Sequence, residues 1–160
     1  MHIIEGVPSS KGFRFALVVS KFNDFVTERL EAGALGALTA GGTRPDDITV
    51  VRVPGAFEIP AAARYAALSG RFDGIVCLGC IIRGETPHFE YLASAVAHGL
   101  TDAAGTTGVP MTFGVLTTNS VEEAIERAGE GPSNKGWEAA TAAMEMVAII
   151  AQLKLDATST

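Results

Sequence analysis

The residues best suited to chemistry lie in the segment GETPH at residues 84–88. A stretch with helical spacing follows it, so the free N–H groups of a helix N-terminus and the Thr86 hydroxyl would be placed to bind a phosphate. His88 would lie within one helical turn of this loop, and its side chain is the one best suited to moving protons near neutral pH. A surface histidine with no role is the alternative that the local sequence leaves open.

Two further segments have residue types that suit ligand binding. Phe22 stands between the polar residues Lys21 and Asn23, so its ring could stack on a ligand or pack onto the following helix as a hydrophobic staple. In VPGAFEIP at 53–60, glycine and alanine allow close approach to the backbone, and Glu58 offers an acceptor for hydroxyl groups. Alternatively, Glu58 is favoured simply because an acidic residue suits the first turn of a helix.

Arginine residues are the candidate partners of such a phosphate. Arg127 precedes Gly129 and could reach the anion, or it could form a solvated ion pair with Glu123 at i−4. Arg83, beside the predicted anion loop, has the similar alternative of a surface charge.

The only two cysteines, Cys77 and Cys80, form a C-x-x-C pair, which raises a redox or zinc hypothesis. They lie in a β-branched apolar run typical of a buried strand, where residues three apart face opposite sides and their Cα atoms are ~10 Å apart. That separation is too great for a disulfide. No second pair completes a zinc site, so we predict buried structural thiols and no metal site.

Strand-like runs alternate with helical segments, which predicts an α/β fold with a parallel sheet covered on both faces. The predicted strands are 14–20, 48–54, 74–80 and 110–118. Helices are predicted at 24–40, at 57–68 and at 134–153. Two more are predicted from their starts: one after a Thr86 cap with Pro87 in its first turn, and one from the Ser120 capping box to 129. Ligands of such sheets bind beyond the carboxyl ends of the strands. Phe22, Glu58 and His88 all follow strands, so the fold should bring them to one edge.

Length and charge narrow the classes of protein. A chain of 160 residues with 48% hydrophobic residues predicts a single domain over 1–160, with 1–12 as an N-terminal edge segment, a possible edge strand at 2–5, and 155–160 as a disordered tail. The net charge of −6 without a basic stripe argues against nucleic-acid or membrane-surface binding. No signal-peptide or membrane-span pattern is present, which predicts a cytoplasmic protein.

Several segments together resemble the 6,7-dimethyl-8-ribityllumazine synthase family in residues, order and spacing. They are KFNDF at 21–25, VPGAFEIP at 53–60, the run from Gly79 to Tyr91, FGVLTT at 113–118, AIERAG at 124–129 and NKG at 134–136. The resemblance extends from about residue 2 to residue 152. It implies a three-layer sandwich of flavodoxin-like topology with four parallel strands.

The resemblance also implies a reaction. In this family 5-amino-6-(D-ribitylamino)uracil condenses with 3,4-dihydroxy-2-butanone 4-phosphate, with loss of phosphate and water, to give the lumazine, the penultimate step of riboflavin biosynthesis. The substrates are small molecules, and no metal or organic cofactor is expected.

Site roles follow from the same resemblance. Phe22 would stack on the pyrimidine and His88 would carry protons. Three residues would line the ribityl chain: Ala56, Phe57 and Glu58. Three would give backbone contacts to the pyrimidine: Cys80, Ile81 and Ile82. Two would form the phosphate loop: Glu85 and Thr86. Two would come from a neighbouring subunit, one covering the ligand and the other pairing with phosphate: Phe113 and Arg127.

A shared site implies a homo-oligomer, which in this family is a pentamer. The turn GEGPSN at 129–134 has the short form of family members that build sixty-subunit icosahedral shells, although Pro132 could stiffen it into another angle. The resemblance also suggests riboflavin synthase as a partner.

Other functions remain as alternatives. A related riboflavin synthase of the same fold would consume lumazine, and a shell-forming or flavin-binding protein would have no activity. A flavodoxin would want a hydroxyl-rich phosphate loop after the first strand. A phospho-receiver module would need an acidic residue where the chain has Ser20 and an aspartate where it has Cys80.

Overall fold

The computed structural model describes residues 1–158; residues 159 and 160, part of the predicted tail, lie outside it. The four strands are β1 Phe15–Ser20, β2 Ile48–Val53, β3 Gly74–Ile82 and β4 Met111–Thr118. The five α-helices of the described chain are α1 Asp24–Ala40, α2 Ile59–Leu68, α3 His88–Thr107, α4 Val121–Arg127 and α5 Lys135–Thr158. Single 3₁₀ turns occupy Pro45–Asp47, Ala56–Glu58 and Gly131–Ser133.

The strands form one all-parallel sheet in the order β2-β1-β3-β4. The predicted α/β fold of flavodoxin-like topology is confirmed. Because β1 connects to β2 on one side while β3 pairs with β1 on the other, the strand order reverses between β1 and β3. In doubly wound sheets this switch point opens a crevice at the carboxyl ends of the strands.

Alternation along the strands divides the core into two halves. On β1, Phe15 and Leu17 pack in a cluster with residues of α1 and α5, whereas Ala16 and Val18 pack in a second cluster with residues of α2 and α3. The sheet is therefore buried on both faces, which explains the nearly continuous apolar strands. Within the described chain, no helix is long and apolar enough to cross a membrane.

The two cysteines behave as the strand pattern predicts. Cys77 belongs to the cluster on the α2 and α3 face, and Cys80 to the cluster on the α1 and α5 face. Both are free and buried. Burial raises the pKa of the Cys77 thiol to about 12 and the pKa of the Cys80 thiol to about 11, because a thiolate is poorly solvated inside the protein.

Both ends of the chain differ from the prediction. Residues 2–5 form no strand; Gly6 instead packs against the backbone of Glu145, and Gln152 donates from Nε2 to the carbonyl oxygen of Glu5 (3.4 Å), so Glu5 and Gly6 lie against α5. At the other end, α5 continues through Thr158. The prediction of a disordered tail is wrong for residues 155–158, where the helix simply extends beyond its apolar stripe.

The start of α3 also differs by one residue. Pro87, expected in the first helical turn, is the N-cap, and its carbonyl oxygen accepts from the N–H of Glu90 (3.1 Å). Thr86, expected to be the cap, lies one residue earlier and accepts from the N–H of His88 (3.4 Å). His88 is therefore the first residue of the helix.

Candidate active site

An open cavity of about 860 Å³ lies at the carboxyl ends of β1 and β3. Eight of the predicted site residues line it: Phe22, Ala56, Phe57, Cys80, Ile81, Ile82, Thr86 and His88. They come from three separate stretches of the chain, at residue 22, residues 56–57 and residues 80–88, and the strand order brings these stretches to one crevice. We call this space the switch-point cavity.

Phe22 presents an aromatic ring at this cavity. Its backbone N–H donates to the carbonyl oxygen of Pro54 (3.0 Å), which fixes the loop after β1 against the loop after β2. The residue is 71% exposed, so it does not act as a staple buried against α1. The ring is free to stack on a planar ligand.

Asn23 is a cavity residue that sequence reasoning did not single out. It adopts a left-handed conformation (φ 63°), which asparagine tolerates better than most residues. Its Nδ2 donates to the carbonyl oxygen of Cys80 (2.9 Å). Its place after a strand was visible in the sequence, but its bond to a residue 57 positions away was not.

The end of β3 has a free edge. β1 pairs with β3 only as far as Val19 opposite Leu78, whereas β4 pairs with β3 up to Ile82. Successive residues of a strand direct their backbone polar groups to opposite sides. Because the Cys80 carbonyl faces Asn23, the N–H and C=O of Ile82 face the same side, beyond the end of β1.

The loop after β2 supplies a carboxylate beside the cavity. Ala56, Phe57 and Glu58 form a 3₁₀ turn, with Ala56 buried, Phe57 68% exposed and Glu58 half-buried. Glu58 does not itself line the cavity, but its carboxylate turns back toward Gly55, which does. As the N-cap residue of α2, Glu58 makes no capping hydrogen bond from its side chain, so its carboxylate is not occupied in holding the helix.

The loop between β3 and α3 lies open on the other side of the cavity. Gly84, Thr86 and His88 line the cavity and are exposed, while Glu85 lies in the loop without lining it. A Cβ on Gly84 would meet no atom within 4 Å. Packing within the chain therefore does not require glycine here, whereas close approach of a ligand to the backbone would.

Arg83 ties this loop to its surroundings. Its Nε donates to Asn119 Oδ1 (2.9 Å) and its Nη1 lies 3.2 Å from Glu90 Oε1. The guanidinium also lies over the Phe89 ring, 4.7 Å from its centroid. Arg83 is thus a partly exposed anchor of the loop rather than an isolated surface charge, which the sequence did not reveal.

Phe113 and Arg127 lie elsewhere. They line a cavity of about 560 Å³ along β4 and the start of α5, which we call the β4 cavity. Phe113 pairs with Cys77, five residues before Ile82, and is therefore ~16 Å from the end of β3 along the strand direction. Within one chain the structure does not bring these two residues to the switch-point cavity.

The charged groups of the β4 cavity have defined partners. Arg127 donates from Nη1 to the carbonyl oxygen of Glu123 (3.1 Å). The Glu123 carboxylate accepts instead from the N–H of Asn119 (3.0 Å), so the alternative of an Arg127–Glu123 ion pair is replaced by a contact of Arg127 with the backbone. Lys135, which lines the same cavity, pairs with Glu138 (2.8 Å).

The switch-point cavity combines features suited to a planar, hydroxylated and phosphorylated substrate: a free aromatic ring, a free strand edge, a carboxylate nearby, and an exposed histidine at the start of α3. In the described part of the chain, no three His, Cys, Asp or Glu side chains are grouped so that they could hold a metal ion. The fold defines an α/β protein of flavodoxin-like topology, and the switch-point cavity is its candidate ligand-binding site.

Comparison with known proteins identifies the family. The family model described as 6,7-dimethyl-8-ribityllumazine synthase matches residues 12–151. A protein of that name from Syntrophus aciditrophicus (strain SB) is 52% identical over 94% of this chain and 98% of its own length. One from Chlorobaculum parvum is 50% identical (94% and 96%), and one from Desulfatibacillum aliphaticivorans 47% (95% and 98%). The chain belongs to the 6,7-dimethyl-8-ribityllumazine synthase family.

Proposed function

We propose that the chain is a transferase that condenses 5-amino-6-(D-ribitylamino)uracil with 3,4-dihydroxy-2-butanone 4-phosphate to give 6,7-dimethyl-8-ribityllumazine, the penultimate step of riboflavin biosynthesis. The observation that carries the proposal is the switch-point cavity, where a free aromatic ring, a free strand edge and the histidine that begins α3 meet. Membership of the family supplies the identity of the two substrates. We expect the reaction to need no metal or organic cofactor.

The pyrimidine binds between Phe22 and the end of β3 in this proposal. Stacking on the exposed Phe22 ring holds the plane of the base. Ile82 offers a backbone donor and a backbone acceptor on the cavity side, which suits the alternating polar edge of a uracil. Cys80 contributes its backbone beside them, and Ile81, whose polar groups face β4, shapes the wall.

The ribityl chain extends from the ring toward the loop after β2. Ala56 and Phe57 form its apolar wall, and the Glu58 carboxylate accepts hydrogen bonds from its hydroxyl groups. Hydrogen bonds to a charged acceptor are stronger than neutral ones, so Glu58 selects for a polyhydroxylated substituent over an apolar one.

The phosphate of the second substrate binds in the loop before α3. Backbone N–H groups around Gly84 and Glu85 and the Thr86 hydroxyl donate to it, next to the positive end of the α3 dipole. Arg127 of a neighbouring subunit supplies the positive charge, and Phe113 of that subunit covers the ligand. Glu85 acts through its backbone, because its carboxylate would repel the anion.

His88 carries the protons that the condensation moves. The amine of the pyrimidine adds to the ketone, and a proton passes to the departing oxygen as water leaves and the imine forms. Loss of phosphate then requires removal of a proton from the carbon next to the imine while the C–O bond to phosphate breaks. The enol that remains takes up a proton at its terminal carbon and becomes a ketone, and the ribityl-bearing nitrogen closes the ring onto this new carbonyl with release of a second water. His88, at the start of α3, lies beside the phosphate loop and can accept and return these protons.

The proposal requires a homo-oligomer, since Phe113 and Arg127 line a different cavity from His88 within one chain. A pentameric ring closes such a head-to-tail arrangement, with each site completed by the next subunit. We further propose a cytoplasmic location, and riboflavin synthase as the enzyme that takes up the product.

We further propose that twelve pentamers assemble into a sixty-subunit shell. The turn between α4 and α5 is short and contains one 3₁₀ turn, Gly131–Ser133. Light scattering or electron microscopy of the purified protein tests the shell. Particles of pentamer mass alone, across buffers and pH, would show that the interpretation of this turn is wrong.

The activity has a direct test. Purified protein mixed with both substrates should form the lumazine chromophore and release one phosphate for each lumazine made, and omission of either substrate should stop both signals. Lumazine supplied alone should remain unchanged. Consumption of lumazine with formation of riboflavin would instead identify the related riboflavin synthase, and absence of both reactions would favour an inactive shell protein.

A further inference from the structure

Asn134 lies at the junction of three segments and is only 3% exposed. Its Oδ1 accepts from the N–H groups of Gly136 (2.7 Å) and Trp137 (3.1 Å), in the first turn of α5. Its Nδ2 donates to the carbonyl oxygens of Gly129 (2.8 Å) and Arg29 (3.1 Å). The amide therefore uses both donor hydrogens and both acceptor positions of its oxygen.

The packing around this amide leaves little room for adjustment. A Cβ on Gly33 would overlap the Asn134 side chain, and one on Gly136 would overlap the carbonyl oxygen of Leu30. Helices α1 and α5 thus approach each other through glycines, with the amide between them. A buried and fully satisfied polar group of this kind defines one geometry, because any shift leaves a donor or acceptor unpaired.

The segments that the amide joins bear the cations of the β4 cavity. Gly129, which accepts one of its hydrogen bonds, lies two residues after Arg127, and Ala128 between them is buried in the core. Lys135 directly follows Asn134. Arg127 on α4 and Lys135 on α5 line the same cavity, so the amide fixes the end of one helix relative to the start of the other.

The geometry points to Asn134 as a positioning residue for the phosphate-bearing substrate, acting through the placement of Arg127. This inference rests on the proposed function, in which Arg127 binds the phosphate. Asn134 touches neither substrate in this account. It holds the carbonyl oxygen of Gly129 in place, so that the Arg127 guanidinium meets the phosphate without further adjustment.

Two substitutions separate this role from helix capping. Asn134→Asp and Asn134→Ser both keep a side-chain oxygen that can cap α5, but both lose the two N–H donors to Gly129 and Arg29. Ser133→Ala changes an exposed neighbour in the same turn and is the matched control.

We expect both Asn134 variants to raise the KM for the butanone phosphate by about tenfold, since a small misplacement of a binding group has effects of this size. The inhibition constant of inorganic phosphate should rise by a similar factor. The KM for the pyrimidine should stay within about twofold, and Ser133→Ala should match the parent protein. A merely structural role would lower the melting temperature, or change both KM values alike, without this split.

A double-mutant cycle with Arg127→Ala decides how the effect arises. If Asn134 acts by positioning Arg127, Asn134→Ser should add little to the KM for the butanone phosphate once Arg127 is absent. Full additivity, an unchanged KM in both Asn134 variants, or loss of folding in both would overturn the inference while leaving lumazine formation by the parent protein intact. A parent protein that forms no lumazine would instead contradict the proposed function itself.

Discussion

The switch-point cavity and the β4 cavity are built in different ways. The first lies where parallel strands end, so the order of the strands alone brings its predicted site residues together from three stretches of the chain. The second lies along the edge strand β4, and its cations Arg127 and Lys135 depend on a turn between helices for their relative position. One cavity follows from the strand order and the other from hydrogen bonds of the turn before α5.

The difference extends to their chemistry. The switch-point cavity offers an exposed ring, backbone polar groups and His88, which suit recognition and proton transfer. The β4 cavity offers two cations and one carboxylate. In the proposed function the two sets act together on the pyrimidine and the phosphorylated ketone, with the cavities of two chains brought together at one site.

The largest expected effect concerns His88 in the switch-point cavity. General acid–base catalysis contributes about 10²–10⁴-fold, so His88→Ala should lower kcat by that range without abolishing turnover, because the condensation can proceed without the histidine. The KM for the pyrimidine should change little, since Phe22 and Glu58 remain. Steady-state kinetics under saturating substrates measures both quantities.

The same helix supplies a control for this experiment. His98 lies ten residues further along α3, exposed, with Nδ1 2.9 Å from the carbonyl oxygen of Ser94. His98→Ala should retain the parent kcat. An undiminished kcat in His88→Ala would contradict the proposal that His88 carries protons in the switch-point cavity.

The next effect concerns Arg127 in the β4 cavity. Loss of a charge-assisted contact to phosphate costs about 1.5–3 kcal/mol, so Arg127→Ala should lower kcat/KM for the butanone phosphate by roughly ten- to a hundredfold. Arg44→Ala, which removes an exposed arginine paired with Asp46, is the control. An unchanged kcat/KM for the butanone phosphate in Arg127→Ala would contradict the assignment of phosphate binding to this cavity.

Mixed oligomers test whether the two cavities meet across chains. If each site takes His88 from one subunit and Arg127 from the next, a random one-to-one mixture of His88→Ala and Arg127→Ala chains should regain intact sites at about a quarter of the interfaces in a head-to-tail ring. Co-refolding followed by the lumazine assay measures this recovery. Activity that never exceeds the average of the two variants would place both residues of a site in one chain.

The sequence predicted the elements well where the signal was local. The apolar runs predicted all four strands, and the Ser120 cap was confirmed by its bond from the N–H of Glu123 (3.2 Å). The sequence-based prediction failed where contacts with distant parts of the chain determine the local structure. Residues 2–5 form no strand, and Glu5 and Gly6 contact α5 instead. Strand β3 is longer than predicted because Ile81 and Ile82 continue to pair with β4.

The candidate site shows the same contrast between what local sequence signals predict and what distant contacts determine. The placement of Phe22 and His88 at one cavity was predictable, because each follows a strand and the carboxyl ends of strands converge. Arg83 and Asn134 were not, because their roles depend on Asn119 and Arg29, which are 36 and 105 residues away. Asn134 did show one local signal, since asparagine before a helical run is a typical N-cap, but that signal reveals nothing about α1.

A smaller effect should follow from removing the ring at the switch-point cavity. Stacking of two aromatic rings contributes about 0.5–1.5 kcal/mol beyond buried area, so Phe22→Ala should raise the KM for the pyrimidine several-fold and leave the KM for the butanone phosphate unchanged. Tyr65, an exposed aromatic residue on α2 outside the cavity, gives the control Tyr65→Ala. If Phe22→Ala and the parent protein have equal KM values for the pyrimidine, Phe22 does not contribute to binding the ring, and the strand edge alone would bind it.

The smallest effect on catalysis is expected at Cys80, which lines the switch-point cavity. Burial raises its pKa to about 11, so the thiol is protonated near neutral pH and is a poor nucleophile. Cys80→Ala should keep kcat/KM within about twofold at pH 8, because the backbone that faces the pyrimidine is unchanged. A large loss of kcat with intact folding would mean that the sulfur itself acts.

Cys77, opposite Phe113 on β4, is also a buried thiol, and its burial should affect how the free energy of unfolding depends on pH. Its pKa is raised from 9.0 to about 12 in the folded protein, so between these values the unfolded chain loses the thiol proton while the folded chain retains it. The contribution to stability is therefore constant below about pH 9 and falls above it, by up to ~1.4 kcal/mol per pH unit. Urea unfolding at pH 8 and pH 10 should show a smaller decline for Cys77→Ala than for the parent protein; equal declines would mean that the Cys77 thiol titrates alike in both states.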